Sequence, residues 1–265
     1  MDQEKDLRLA MLIDADNISY THIKGMMEEL AKYGNPTFKR IYGDWTKPTL
    51  TGWKTVLLDN AITPVQQYNY TSGKNATDAA MIIDAMDILY TGRVDGFCLV
   101  SSDSDFTRLA TRLREAGMRV FGMGEKKTPS AFRAACDKFI YLEILQTDQK
   151  KERKKTAASG KATVDKTEKI KPPISKKDEE LINLLTDSIN DIADEDGWAY
   201  LGELGNLILK KQPDFDARNY GYTKLLQLIK SFDQFEVELR ETGSGKKAGN
   251  NLVFVRVIPG VFFLS

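Results

Sequence analysis

The sequence predicts an α/β protein, a parallel sheet covered by helices on both faces, with a second, smaller α+β unit behind it. Three observations carry this. From Leu7 to about Leu145, apolar runs of strand length alternate with amphipathic segments of helix length, the pattern of a parallel sheet sandwiched by helices. Two of the runs, Leu9–Asp14 (LAMLID) and Gly96–Ser101 (GFCLVS), are almost continuously apolar, as strands buried on both faces must be. Beyond residue 174 the pattern changes to three helical stretches followed by two strand-like ones, the layout of a winged helix.

In the first unit the remaining strands are expected at Phe38–Tyr42, Thr63–Tyr68 and Arg119–Met123. Helices are expected at Ile18–Lys32, Leu50–Asn60, Thr77–Leu89, Asp105–Glu115 and Pro129–Asp137, with a short apolar run, Phe139–Leu145, at the end. Composition then shifts to a lysine-rich stretch without aromatics, Gln149–Lys171, closed by Pro172-Pro173. Such a stretch buries too little apolar surface to offset its chain entropy and reads as a linker. In the second unit, helices are expected at Lys177–Ile192, Leu201–Lys210 and Tyr222–Ser231, and strands at Phe235–Leu239 and Asn251–Ile258, joined by TGSGKKAGN. The expected boundaries are 1–147 for the first domain, 148–173 for the linker and 174–265 for the second domain.

Composition narrows the chemistry. The 38 Lys and Arg residues equal the 38 Asp and Glu in number, so any case for a polyanionic partner has to be local. The amino-terminal MDQEKDLRLA lacks the apolar stretch of a signal peptide, and no window approaches a membrane span; a cytoplasmic protein away from membranes is expected. Cys98 and Cys136 have no partner at metal-ligand spacing and read as buried, inert thiols. His22 is the single histidine and is expected at the surface, which removes His-based catalysis and His-rich zinc sites.

The acidic residues carry the chemistry. The first strand ends LIDADN, with Asp14 at its carboxyl end and Asp16 and Asn17 in the turn. The fourth ends LVSSDSDF, with Ser101, Ser102, Asp103 and Asp105 at its own carboxyl end. Ligands of open parallel sheets bind beyond the carboxyl ends of the strands, where strand order reverses. If strands one and four are the adjacent central pair, Asp14, Asp103 and Asp105 converge on one crevice. Asp78, in the first helical turn after SGKNAT, comes down beside them if its loop crosses the top. Carboxylates so close repel each other unless a cation intervenes, and Mg²⁺ or Mn²⁺ suits a few carboxylates, waters and a phosphate. Such a metal activates water for phosphodiester hydrolysis. Taken singly, Asp14, Asp16, Asn17 and Asp103 also read as helix caps and Asp78 as a first-turn residue favoured by the helix dipole. Asp84 reads equally as a support for the site or as a solvent-facing residue.

The motifs LIDADNI, KNATDAAMIIDA and LVSSDSDF, the last followed by RLREAGMRVFGMG, resemble the NYN domain of the LabA-like group within the PIN-like nuclease superfamily, over roughly Leu7–Leu145. The resemblance implies a PIN-like fold and a ribonuclease whose aspartates hold a divalent metal. On this sequence those are Asp14, Asp78, Asp103 and Asp105, with Asn17 matching the motif asparagine that orders the first loop or touches substrate. The stretch GWAYLGELGNLILKKQPDFDARNYGYTKLLQLIKSFDQFEV is similar to the OST-HTH, or LOTUS, domain, from about Lys177 to Ile258. That resemblance implies RNA binding, single-stranded or structured; a protein partner such as a helicase, and self-association, stay open.

Read physically, Arg218 through Lys224 (RNYGYTK) occupies the recognition-helix position of a winged helix. Arg218, Tyr222 and Lys224 are candidate RNA contacts, through phosphate and base stacking, while Tyr220 and Tyr222 read alternatively as core. Lys246 and Lys247 at the hairpin tip would add backbone contacts. In the first unit Lys74, beside Asp78, leads the candidates for lining a substrate path, with Lys39, Arg40 and Lys47 behind it, and Ser102 is a candidate substrate contact. Trp45 and Trp53 are expected to cover the sheet edge. Neither a G-x-G-x-x-G nor a P-loop follows the first strand, so a nucleotide-cofactor reading is set aside. The expected activity is a metal-dependent, endonucleolytic ribonuclease; the alternative is a catalytically silent RNA-binding or regulatory scaffold.

Overall fold

A computed structural model describes residues 6–68, 76–145, 176–241 and 251–258. The chain divides into two compact units, residues 1–159 and 160–265. The lysine-rich stretch, Lys74 and the Lys246–Lys247 loop lie outside the described residues.

The first unit is a six-stranded sheet of order β3-β2-β1-β4-β5-β6, built from β1 (Leu7–Asp14), β2 (Gly34–Gly43), β3 (Thr63–Gln66), β4 (Gly96–Val100), β5 (Arg119–Gly124) and β6 (Lys138–Tyr141). Every neighbouring pair is parallel. β1 and β4 are the adjacent central pair, in register from Leu9 opposite Gly96 to Ile13 opposite Val100. Successive strands then leave to opposite sides, so the point where strand order reverses lies between these two.

Strand periodicity sends alternate residues of β1 to the two faces. Leu9, Met11 and Ile13 pack with Ile23, Met26 and Leu30 of helix α1 (Ile23–Leu30) and with Trp53 of α2 (Thr51–Lys54). Ala10 and Leu12 pack on the other face with Met81, Ala85 and Ile88 of α3 (Ala76–Tyr90), Leu109 and Leu113 of α4 (Thr107–Glu115) and Phe132 of α5 (Ser130–Ala135). Helices thus cover both faces, the PIN-like arrangement expected.

The elements depart from expectation where the sequence is locally weak. The predicted helix Leu50–Asn60 is a 3-10 turn at Pro48–Leu50, one helical turn at Thr51–Lys54 and a chain of turns to Ala61, which has φ 49°. Gly52, Thr51, Thr55 and Val56 are poor helix formers, and Trp53, buried with its indole N–H donating to the Ile18 carbonyl at 3.2 Å, fixes the segment by packing instead. Trp53 is therefore core, whereas Trp45 is half-buried with its indole donating to Val65. The run Phe139–Leu145 overlaps a sixth strand, Lys138–Tyr141. Four residues at a sheet edge are too few to show a period.

The second unit comprises α6 (Lys176–Ile192), β7 (Ala199–Tyr200), α7 (Leu201–Lys211), a 3-10 turn (Ala217–Tyr220), α8 (Leu225–Ile229), β8 (Phe235–Glu241) and β9 (Asn251–Val257). Its three strands form an antiparallel sheet of order β7-β9-β8, packed through Val255 and Ala199 on Leu185, Ile189, Leu204, Ile208 and Leu228. The third helix is shorter than the expected Tyr222–Ser231. Gly221 sits at φ +87° and Lys224 is extended, so the backbone cannot enter a helix before Leu225.

Leu12→Ala, in the centre of the sheet and fully buried, is expected to destabilise the first unit by about 2–5 kcal/mol. Leu58→Ala, at a residue 90% exposed, is expected to change stability by less than about 0.5 kcal/mol. Hydrogen exchange of β1 peptides, which separates this unit from the second, reads both.

Candidate metal centre

Asp14 closes β1, and Ser101 follows the last residue of β4, so the β1–β4 pairing sets them side by side. Asp14 is 1% exposed. Its Oδ2 accepts the Ser101 hydroxyl at 2.8 Å and the Asn17 amide at 2.6 Å, and its Oδ1 accepts the Asp16 N–H at 3.2 Å. Burial pushes its pKa above the ordinary carboxylate value, although these hydrogen bonds oppose the shift.

Ser101 connects the two strand ends. While its hydroxyl donates to Asp14, its Oγ accepts the Asp103 N–H at 3.1 Å. The fit around it is close. A Cβ at Gly124, the last residue of β5, would stand 2.5 Å from the Ser101 carbonyl oxygen, so only glycine lets that strand approach so near. Asp103 caps the 3-10 turn Ser104–Phe106 by accepting the Asp105 N–H at 3.0 Å. Capping and membership of the acidic cluster are thus both realised in this one residue.

Asp78 enters from the first turn of α3. Carboxylate oxygens of Asp78, Asp103 and Asp105 all lie within 4.8 Å of one another. Burial, and then repulsion from Asp14, Asp103, Asp105 and Asp16, push the Asp78 pKa up to about 6. The donor set is all oxygen and all anionic, and the part of the Asp78 shift that comes from neighbouring carboxylates is repulsion that a divalent cation would relieve. These residues fit a hard divalent ion. Asp14 stands beside the trio, with its oxygens already engaged.

Other expected residues fall elsewhere. Asn17 orients Asp14. Ser102 is buried and its Oγ accepts the Glu125 N–H at 2.9 Å, which ties the β4 loop to the end of β5. His22 is half-buried rather than on the surface, near Glu125 and Glu143 with a backbone hydrogen bond to Leu142, and burial lowers its pKa. Asp84 accepts from Arg40 and from the Tyr42 hydroxyl, so it anchors α3 to β2. Lys39 donates to the Asn60 carbonyl. In the second unit Arg218 is bound to Asp216, with its Nη2 2.7 Å from Oδ2 and its side chain 16% exposed. Tyr220 and Tyr222 pack half-buried against the core, and Lys224 is exposed at the start of α8.

Sequence reasoning passed over Ser101, Thr77 and Asp16 as working parts of the site. Ser101 offered one signal, its position at the end of a buried strand.

Among solved structures, the chain is similar to a protein of unknown function from Vibrio parahaemolyticus, at 20% identity and a TM-score of 0.42 over 52% of this chain and 94% of that one. It is also similar to an uncharacterized protein from Nitrosomonas europaea, at 29% identity and a TM-score of 0.28 over 38% of this chain and 91% of that one. No curated protein matches. The OST-HTH/LOTUS domain model matches residues 172–246, and the NYN domain model matches residues 8–143, from β1 through the end of the sheet. With the sheet, the acidic crevice and this match in agreement, the chain belongs to the NYN domain family.

Proposed function

We propose that this chain is a divalent-metal-dependent ribonuclease, endonucleolytic in mode, which uses Mg²⁺ or Mn²⁺ and carries its second unit as an RNA-binding module. The observation that supports this reading most strongly is the convergence of Asp78, Asp103 and Asp105 to within 4.8 Å beside the buried Asp14, at the point where strand order reverses. NYN membership supports nuclease chemistry, and the OST-HTH match supports RNA as the polymer. No helix among the described residues is long and apolar enough to cross a membrane.

Asp78, Asp103 and Asp105 would hold the ion, and Asp14 completes the anionic wall of the site. A bound divalent cation supplies charge neutralisation at the phosphodiester and a water more acidic than bulk. Asn17 and Ser101 keep Asp14 in a single orientation, and Ser102 holds the adjoining loop. Asp105 is the exposed member, so the phosphate approaches on its side. In the second unit Lys224 is placed to meet the RNA backbone, and Tyr222 contributes its exposed edge. Arg218 shapes the turn through Asp216 rather than reaching for phosphate.

Two experiments test this. RNA incubated with Mn²⁺ is cut by the wild type, and Asp14→Asn and Asp103→Asn each lower the rate by at least about a hundredfold. Clear RNA binding with no cleavage of any RNA class overturns the enzyme and leaves a silent RNA-binding regulator.

The second concerns pH. The folded Asp78 pKa of about 6 lies above the ordinary 3.8, so the folded state holds this proton more tightly than the unfolded chain does. The penalty for ionising it develops as pH rises from about 4 to about 6 and is fully present above. Mn²⁺ affinity, read by calorimetry, is therefore expected to level off above about pH 7 and to fall about tenfold per unit below pH 6. Asp78→Asn is expected to raise the melting temperature without metal at pH 7.5 and to abolish the Mn²⁺-induced rise of the wild type.

A further inference from the structure

Asp16 sits between Asp14 and Asn17 in the first motif, yet its carboxylate points to neither. Its Oδ2 accepts the hydroxyl of Thr77 at 3.1 Å, a contact that joins residues 61 positions apart. Its Oδ1 lies 4.0 Å from the Lys47 ammonium, in the loop after β2. Capping does not account for it, because Ser19 caps the 3-10 turn that follows. Nor does Asp16 belong to the group whose oxygens converge, which is Asp78, Asp103 and Asp105.

Thr77 is 5% exposed and precedes Asp78 in the first turn of α3. Seven residues on, at nearly the same angle round the helix, Asp84 receives Arg40 and the Tyr42 hydroxyl from β2. The helix is therefore held at two points along one stripe, its first turn by Asp16 and its third by β2. Two such points fix rotation about the helix axis, and rotation is what moves Asp78 into or out of the crevice. The restraint has a force to oppose, since Asp14, Asp103, Asp105 and Asp16 all repel the Asp78 carboxylate.

We infer that Asp16 is a positioning residue, which through Thr77 locks the first turn of α3 and so sets Asp78 in register with Asp103 and Asp105 for cation binding. The inference rests on the proposed metal reading. Lys47 offsets the extra negative charge that this tether brings to the rim. The threonine hydroxyl, not the aspartate charge alone, transmits the effect.

The test is Mn²⁺ affinity of the full chain, measured by calorimetry without substrate, for wild type, Asp16→Ala, Thr77→Val, Thr77→Ser and the Asp16→Ala/Thr77→Val double variant. Circular dichroism establishes that each is folded. Asp16→Ala and Thr77→Val are each expected to weaken Mn²⁺ about tenfold, the range for residues that orient a metal ligand. The double variant should bind no more weakly than Asp16→Ala, because the hydroxyl has already lost its acceptor. Thr77→Ser should bind as the wild type does. Wild-type affinity in Thr77→Val overturns the inference, as does an Asp16→Ala loss far larger than that of Thr77→Val and additive with it, which marks Asp16 as a ligand. A wild type that binds no Mn²⁺ overturns the metal reading itself, and the inference with it.

Discussion

Mutual repulsion of carboxylates at the carboxyl ends of β1 and β4 is the constraint around which the first unit is organised. Left to themselves, side chains carrying like charge within 4.8 Å would rotate toward water and separate. Asp78 and Asp103 of this group, and the neighbouring Asp14, are each held by a different device. Asp14 is buried and receives three hydrogen bonds. The backbone of Asp103 is caught by Ser101, while its carboxylate is spent in part on the Asp105 N–H. Asp78 rides on a fifteen-residue helix whose inner face is anchored in the core. The devices share parts, since Ser101 serves both Asp14 and Asp103 and therefore couples the two strand ends. This arrangement stores unfavourable electrostatic energy, which the apolar sandwich above and below the sheet has to offset.

That division explains what was legible in the sequence. β1 and β4 could be read because strands buried on both faces leave unbroken apolar runs, and placing the two side by side was enough to bring Asp14, Asp103 and Asp105 to one crevice. The tethers were not legible. Thr77 and Asp16 are small polar residues beside the motif aspartates, and their contact spans 61 positions; nothing local distinguishes it from helix capping. Asp84 was ambiguous for the same reason, its partners Arg40 and Tyr42 lying on a strand more than forty residues earlier. Where local propensity was weak, as around Gly52 and Thr55, packing of Trp53 decided the outcome and the expected helix dissolved into turns.

In the second unit, packing and ion pairing divide one run of basic and aromatic residues. A run such as RNYGYTK looks like a binding surface because basic and aromatic residues alternate in it. The structure spends most of them internally. Arg218 closes on Asp216, two residues before it, which at the same time caps the 3-10 turn by accepting the Arg218 N–H at 2.9 Å. The tyrosines lie half-buried on the core. Basic character in a sequence measures charge available for any partner, and a carboxylate of the same chain at a pre-set distance costs less to reach than a phosphate from solution. Lys224 is exposed at the start of α8 and presents its side chain to solvent.

These two patterns together bear on how an acidic crevice handles an acidic polymer. Equal numbers of acidic and basic residues give the whole molecule no net charge to draw in a polyanion, and the crevice itself repels one. On the proposed reading, affinity and chemistry are therefore separated. RNA-binding residues of the second unit would supply affinity, and a bound divalent cation would reverse the sign of the local potential at the acidic cluster. A crevice that neutralised itself with lysines would bind RNA without a metal and would have no group able to acidify water. The raised Asp78 pKa belongs to the same arrangement: burial first, and then the neighbouring carboxylates, disfavour its charged form, which a bound cation would favour.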